Sequence, residues 1–366
     1  MKRILIIVGT RPNFIKVTQF KKVAENYPDI EIKIAHTGQH YDAKMSDIFF
    51  KQFNLTPDYF MNISQASPNT QMAEIMLRLE DIITTKFHPD LIIVPGDVNS
   101  TFAAALTANK MGIKIAHLES GLRSFDRTMP EEINRILTDE ISDYYFVTEE
   151  SGLNHLKEEK KHGKTFFVGN TMIDTMVAFE NEIQQSSIMH TLQLEPQRFV
   201  LMTIHRPALV DVKEEVEKLL SLIQHLAKNY KIVFPIHPRT VNNLKKFNLY
   251  DAFMQINNLI LGEPMDYFAF QNLIANCKFI ITDSGGIQEE STFRKIPCLT
   301  LRPNTERPVT ITTGTNKLIE FDLVAIKREI SSIEDNSYKK GEIPPLWDGK
   351  ATDRIMQVIN NEEIKH

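Results

Sequence analysis

The feature that most constrains this chain is a recurrence of short, continuous apolar runs separated by segments of helical period. Runs at residues 4–8, 32–36, 91–94, 113–117, 144–147 and 166–168 read as strands, and the rhythm restarts at 199–203 and continues through 232–235, 259–261, 279–282 and 298–301. A strand with one wet face alternates apolar and polar residues, whereas unbroken runs need cover on both faces, as crossover helices give a parallel sheet. The expected class is α/β with two doubly wound, Rossmann-like domains, and 366 residues exceed what one core usually holds. The domains are predicted at 1–180 and 196–346, with helices at 212–229 and 266–276 in the second and the polar stretch 180–197 as the link. Gly341, Pro344-Pro345 and Gly349 mark a loop, after which a helix at 351–360 is expected, the segment 351–366 packing back on the first domain.

Composition removes several classes. Apolar residues make up 42% and charged residues 24%, ample for sizeable cores, which excludes a disordered chain. Forty-two basic and forty-seven acidic residues leave a net charge of −5, so no global positive field holds nucleic acid or an anionic membrane. No apolar run approaches the roughly 20 residues of a membrane helix. Cys277 and Cys298 are too few for a disulfide scaffold and suit a reducing cytosol. The expectation is a cytoplasmic enzyme with a local pocket for a small anionic ligand.

Ligands of doubly wound sheets bind beyond the C-terminal ends of strands, so those positions carry the candidate chemistry. Gly9-Thr10-Arg11-Pro12-Asn13 follows the first strand and puts Arg11 where an anion binds; a capped turn with solvated Arg11 and Lys16 is the alternative. The chain has neither the dinucleotide nor the triphosphate glycine fingerprint there. Thr282-Asp283-Ser284-Gly285-Gly286 joins a strand to a helix, offering open backbone amides and a hydroxyl to a diphosphate, with Glu290 in reach of a ribose. Its plain alternative is a helix cap by Ser284.

Three carboxylates, Asp97, Glu119 and Glu131, follow strand ends of the first domain. Each has a structural alternative: Asp97 as a helix cap, Glu119 in an ion pair with Arg123, and Glu131 as a favourable charge at a helix N-terminus. His205-Arg206 and His237-Pro238-Arg239 end the first two strands of the second domain. They suit proton transfer and phosphate binding, against simple strand-end hydrogen bonding; no compact ligand pattern favours a metal. His36, His40 and His117 are weaker candidates by the same placement.

Eight motifs in order, Gly9-Thr10-Arg11-Pro12 with Lys16, Gly38-Gln39-His40, Gly96-Asp97, His117-Leu118-Glu119-Ser120-Gly121-Leu122-Arg123, Pro130-Glu131-Glu132 with Asn134-Arg135, His205-Arg206, Asp283-Ser284-Gly285-Gly286 with Gln288-Glu289-Glu290, and Thr305-Glu306-Arg307-Pro308, resemble the non-hydrolysing UDP-N-acetylglucosamine 2-epimerase family. The resemblance spans nearly the whole chain. It implies a glycosyltransferase-B-like pair of domains with the active site in the interdomain cleft, a UDP-sugar substrate, no cofactor or metal, and a homodimer. It implies further that Asp97, Glu119, Glu131 and His205 are catalytic, that Ser284, Gly285, Gly286 and Arg11 hold the diphosphate and Glu290 the ribose. Phe270, or else Tyr267 or Phe268, would flank uracil, while Lys16, Arg135, Arg206, His237 and Arg307 complete the polar substrate set.

The chemistry implied is demanding, because C2 of an N-acetylated sugar is not alpha to a carbonyl. Departure of UDP builds oxocarbenium character at C1, acidifies the C2 proton and leads through a 2-acetamidoglucal; re-protonation on the other face inverts C2. Two departures from the common bacterial pattern leave the sugar open. His205-Arg206 continues as Pro207-Ala208-Leu209, not Arg-Glu-Asn, and His237 precedes Pro238-Arg239. Separately, Tyr41-Asp42-Ala43-Lys44-Met45 counts against the second, activating UDP-sugar that many members bind partly through the segment matching Gln39-His40. A UDP-linked 2,3-diacetamido uronic acid or deoxysugar would use the same C2 chemistry. A glycosyltransferase and a UDP-sugar sensor are the rivals from other classes.

Overall fold

The computed structural model describes residues 1–38, 50–64, 66–263 and 265–364. The chain forms two compact units, one of Met1–Ala178 together with Pro345–His366, the other of Phe179–Pro344. In the first unit, β1 (Lys2–Val8), β2 (Ile30–His36), β3 (Tyr59–Phe60), β4 (Leu91–Pro95), β5 (Lys114–Leu118), β6 (Tyr144–Val147) and β7 (Lys164–Phe167) make a parallel sheet in the order β3-β2-β1-β4-β5-β6-β7. In the second, β8 (Phe199–Thr203), β9 (Lys231–Pro235), β10 (Leu259–Gly262), β11 (Phe279–Thr282), β12 (Cys298–Thr300) and β13 (Asn316–Leu318) repeat the plan as β10-β9-β8-β11-β12-β13. Both are doubly wound sheets of the glycosyltransferase-B-like kind. Strand order reverses at β1/β4 in one sheet and at β8/β11 in the other, the places where such sheets bind ligands.

The apolar runs are continuous because successive side chains enter different cores. Val200 and Met202 of β8 join one buried cluster with Phe234 and Ile281, while Phe199 and Leu201 join another with Val233 and Ile280. In β1, Leu5 and Ile7 pack with Ile92, Ile75 and Leu79, whereas Ile4, Ile6 and Val8, on the opposite face, are also fully buried. At about 25 cal/mol per Å² of apolar surface, such two-sided burial dominates the stability of each sheet.

The returning segment is tied to the first unit at several points. Trp347 is buried and donates its Nε1 to Thr148 O at 3.0 Å. The Ala351–Asn361 helix buries Ile355, Met356 and Ile359, and its first amides are capped from a distance: Asp174 accepts from Ala351 N at 3.0 Å and from Thr352 N and Oγ1 at 2.6 and 2.7 Å. Burial lifts the Asp174 carboxyl above its ordinary range, although these donors oppose it. At the other end, Lys2 Nζ donates to the carbonyls of Ile359, Asn360 and Glu362 at 2.6–2.8 Å.

The stretch expected to link the domains is instead part of the second unit. It carries the helices Glu180–Gln184 and Ile188–Thr191; Ile188, Met189 and Leu192 pack on the cluster around Leu273, and Glu180 Oε2 meets Arg294 Nη2 at 2.8 Å. Its apolar anchors are too sparse among polar residues to form a visible period. Strands β3 and β13, two and three residues long, also escaped the pattern reading. Among the described residues no helix is long and apolar enough to cross a membrane.

Candidate active site

The turn after β1 is pressed against the helix that follows β4. An added Cβ on Gly9 would lie 1.9 Å from Ser100 Oγ, so only glycine fits. Thr10 Oγ1 donates to Asn13 Oδ1 at 2.8 Å, and Asn13 Nδ2 donates to Pro95 O at 2.9 Å, joining this turn to the end of β4. Arg11 opens the short Arg11–Ile15 helix, half-buried. Lys16, nearly buried, places Nζ 2.6 Å from Glu119 Oε2. Glu119 follows β5 with φ 71°, a left-handed conformation that costs a non-glycine residue on the order of 1–3 kcal/mol and that closely bonded surroundings must hold. It pairs with Lys16; the alternative pairing with Arg123 does not form, because Arg123 turns instead to Asp139 Oδ2 and Glu159 Oε2, each at 2.7 Å.

Asp97 does not cap the next helix. That helix is Asn99–Lys110 with Val98 at its N-cap, and Asp97 Oδ2 is gripped by Arg135 Nε and Nη2 at 3.1 and 2.9 Å. Arg135 also binds Glu132, whose carboxylate accepts from Ser124 N, Ser124 Oγ and Phe125 N at 2.9–3.0 Å. The Pro130–Ile141 helix therefore turns a polar face inward: Glu132, Arg135 and Asp139 are buried while Leu137 is exposed. Asp139 takes His117 Nδ1 at 2.6 Å and Gly121 N at 3.1 Å, and His117 Nε2 meets Gly96 O at 2.8 Å. Burial raises the Asp139 carboxyl, but His117 and Arg123 outweigh it and hold it below the usual range. This network fixes the loops bearing Asp97 and Glu119 to each other. Glu131, in the first turn of the same helix, is exposed.

In the second unit the equivalent strand ends carry histidines and arginines held by buried carboxylates. Asp283, fully buried, accepts from His205 N and Arg206 N at 2.8 and 2.7 Å, and His205 Nδ1 lies 2.9 Å from its other oxygen. The imidazole of His205 remains partly exposed and faces His237 at a ring separation of 6.0 Å. His237 has the structural role its alternative foresaw, its Nδ1 accepting from Arg239 N to cap the Pro238–Lys246 helix. Burial, then His205, lowers its pKa.

Ser284 stands at the N-cap of the Gly285–Phe293 helix, yet its side chain makes no cap bond, which leaves the helix amides and the hydroxyl to a ligand. A Cβ on Gly285 would come within 2.8 Å of Glu306 Oε1 and 3.0 Å of Arg307 Nη1. Arg307 is buried between Glu306 and Glu289, and Arg302 Nη2 meets Glu306 Oε2 at 3.0 Å. Burial lowers the Arg302 pKa, Glu306 restores part, and nearby Arg206 and Arg307 add like charge. An anion beside these guanidiniums would relieve that repulsion. Gly286 is in the first turn of this helix and Glu290 is buried in its second. Of the aromatics, Tyr267 is buried, Phe268 pairs with Phe179 at 5.5 Å, and Phe270 packs half-buried against the Leu273 cluster.

Oriented polar groups at the strand ends of each sheet suit nucleotide-sugar chemistry, and relatives narrow it. The family model described as UDP-N-acetylglucosamine 2-epimerase matches residues 22–360. The chain belongs to that family. A UDP-N-acetylglucosamine 2-epimerase homolog of Methanococcus maripaludis is 40% identical, with 98% of this chain and 99% of that protein covered. The crystal structure of the Methanocaldococcus jannaschii UDP-GlcNAc 2-epimerase in complex with UDP-GlcNAc and UDP superimposes with a TM-score of 0.89 at 36% identity, covering 98% of this chain and 100% of that one. The UDP-2,3-diacetamido-2,3-dideoxy-D-glucuronate 2-epimerase of Pseudomonas aeruginosa is 35% identical over 87% of this chain and 88% of its own length. The epimerase family to which this chain belongs comprises isomerases. The positions expected to matter for a second UDP-sugar, Gln39 and His40 through Met45, lie outside the described residues.

Pattern reading alone missed Glu132, Asp139 and Asp283. A signal for the first two was present: Glu132, Arg135 and Asp139 recur at helical spacing where a core-facing stripe would be apolar.

Proposed function

We propose that this chain interconverts UDP-N-acetylglucosamine and its C2 epimer, UDP-N-acetylmannosamine, by elimination and re-addition of UDP. The observation that carries this reading is the Lys16–Glu119 and Arg135–Asp97 pairing at the strand ends of one unit, with a helix start at Ser284 that has no side-chain cap bond at those of the other. The C1–O bond breaks with its electron pair going to the β-phosphate; Ser284, the amides of Gly285 and Gly286, Arg11, Arg206 and Arg307 stabilise the diphosphate, and Glu290 holds the ribose. A carboxylate of the Asp97, Glu119 and Glu131 set takes the C2 proton, giving the 2-acetamidoglucal. A proton then returns to the opposite face of C2 as UDP adds back to C1. Lys16 and Arg135 hold their carboxylates in place, His205 assists proton movement, His237 lines the phosphate side, and Phe270 lies beside the base. A homodimer and a cytoplasmic setting belong to the same proposal; light scattering at the mass of one chain would count against the first.

Incubation with UDP-N-acetylglucosamine alone in heavy water is expected to give the intact UDP-linked epimer with one deuterium, at C2 only. Mass spectrometry and proton NMR read it, and complete retention of the original C2 hydrogen defeats the elimination mechanism. Release of free sugar and UDP would mark a hydrolysing enzyme. The relative that acts on a diacetamido glucuronate supports a second reading, which the same assay with that sugar nucleotide decides by the ratio of kcat/KM.

Ser284→Ala should weaken UDP binding by about 1.5–3 kcal/mol, since it removes a donor aimed at concentrated charge without uncapping a helix. Calorimetry checks it, and unchanged affinity removes Ser284 from the diphosphate site.

A further inference from the structure

The edge of the second sheet opposite the Ser284 turn carries a different concavity. Lys278 precedes β11, Pro297 precedes β12 and Thr315 precedes β13, so these residues stand at the N-terminal ends of neighbouring parallel strands, of which β11 leads at its other end, roughly 13 Å away for four residues, to the turn. A pocket of about 470 Å³ opens among them. Its lining includes Lys278, Lys295, Lys339 and Lys340 and no Asp or Glu. Among the described residues none of these four forms an ion pair, whereas neighbouring Lys317 is neutralised by Glu329 at 2.6 Å.

A chain of net charge −5 thus gathers four uncompensated cations around one hollow. Helix ends explain only part of this. The helices Tyr267–Asn276, Gly285–Phe293 and Leu323–Glu334 finish close to the lining residues in sequence, and each end carries about −0.5 charge, less together than four ammoniums require. The wall is firmly built: Tyr338 Oη donates to Thr315 O at 2.8 Å, and a Cβ on Gly341 would meet the backbone of Gly314 and Thr315 at 2.6 Å. Lys339 is drawn inward, donating to Ile311 O at 2.6 Å, and burial followed by Lys317 lowers its pKa to about 8.

We propose that this pocket binds a small, multiply charged phosphoryl anion, of diphosphate charge and size, at a site separate from the Ser284 turn. The anion would supply the negative charge that the lining lacks, and the volume falls within the range of ordinary small-ligand pockets.

Inorganic pyrophosphate titrated calorimetrically into the full chain saturated with UDP tests this, since UDP occupies the turn. A further site is expected, weakened at least tenfold in Lys278→Gln/Lys340→Gln while UDP affinity stays unchanged. The lysine variant also separates this pocket from the turn if UDP itself fails to bind, so the two proposals fall independently. No heat beyond that of the UDP-saturated blank, or binding equally tight in the double variant, overturns the inference and leaves the lysines serving helix ends. Circular dichroism checks folding, and the single variant Lys340→Gln, at an exposed side chain, must show the same direction of effect if the double variant misfolds.

Discussion

Asp97→Asn is expected to slow epimerisation on the order of 100-fold or more while leaving the fold and UDP affinity nearly intact. The replacement keeps the shape and one oxygen for Arg135 but removes a proton acceptor. Its stability cost is small, because the side chain is a quarter exposed and the following helix is capped at Val98 instead. A hundredfold loss corresponds to about 2.7 kcal/mol in the barrier, far above what weakened positioning of a surface carboxylate costs. Rate, melting temperature and calorimetric UDP affinity must be read together. Normal turnover removes Asp97 from the proton-transfer set. Glu119→Gln is a poorer first test, because it strands the buried Lys16 ammonium, and breaking such a pair costs about 3–5 kcal/mol of stability by itself.

A large expected stability effect also lies away from the chemistry. Asp174→Ala orphans two backbone amides and a hydroxyl at the start of the Ala351–Asn361 helix, all buried, for a loss of about 3 kcal/mol or more. Trp347 is the sole tryptophan and sits in the same returning segment, so its fluorescence reports release directly. The urea midpoint followed at Trp347 should fall clearly, with Asp174→Asn intermediate because an amide still accepts. An unchanged midpoint would mean that the segment is held by its apolar face alone.

Both sheets were legible because a two-sided core forces unbroken runs such as 4–8 and 199–203, a signal that depends on composition and little else. Short edges like Asn316–Leu318 were not, since three residues carry no period. Position along the chain points to the strand-end carboxylates but not to their partners. Glu119 lies near Arg123 in sequence, and nothing local announces that a lysine on another strand's turn, Lys16, comes to it. Ser284 shows the converse: the sequence presents a standard cap, and only three-dimensional placement reveals that the hydroxyl is not spent on its helix. Long-range pairing of charges depends on which strand ends become neighbours, and strand order is a property of topology that residue spacing does not encode.

The second unit is an insertion within the first, which the chain leaves after Ala178 and rejoins at Pro345. A ribosome therefore delivers all seven strands of the first sheet well before Trp347 and the helix that packs beside them. While Phe179–Pro344 is being made, roughly 10–30 s at ordinary synthesis rates, the nascent first unit waits with the footprint of Ile355, Met356 and Ile359 uncovered. The half that is translated first is the half that matures last, and during that interval its uncovered apolar surface is the natural target for a chaperone.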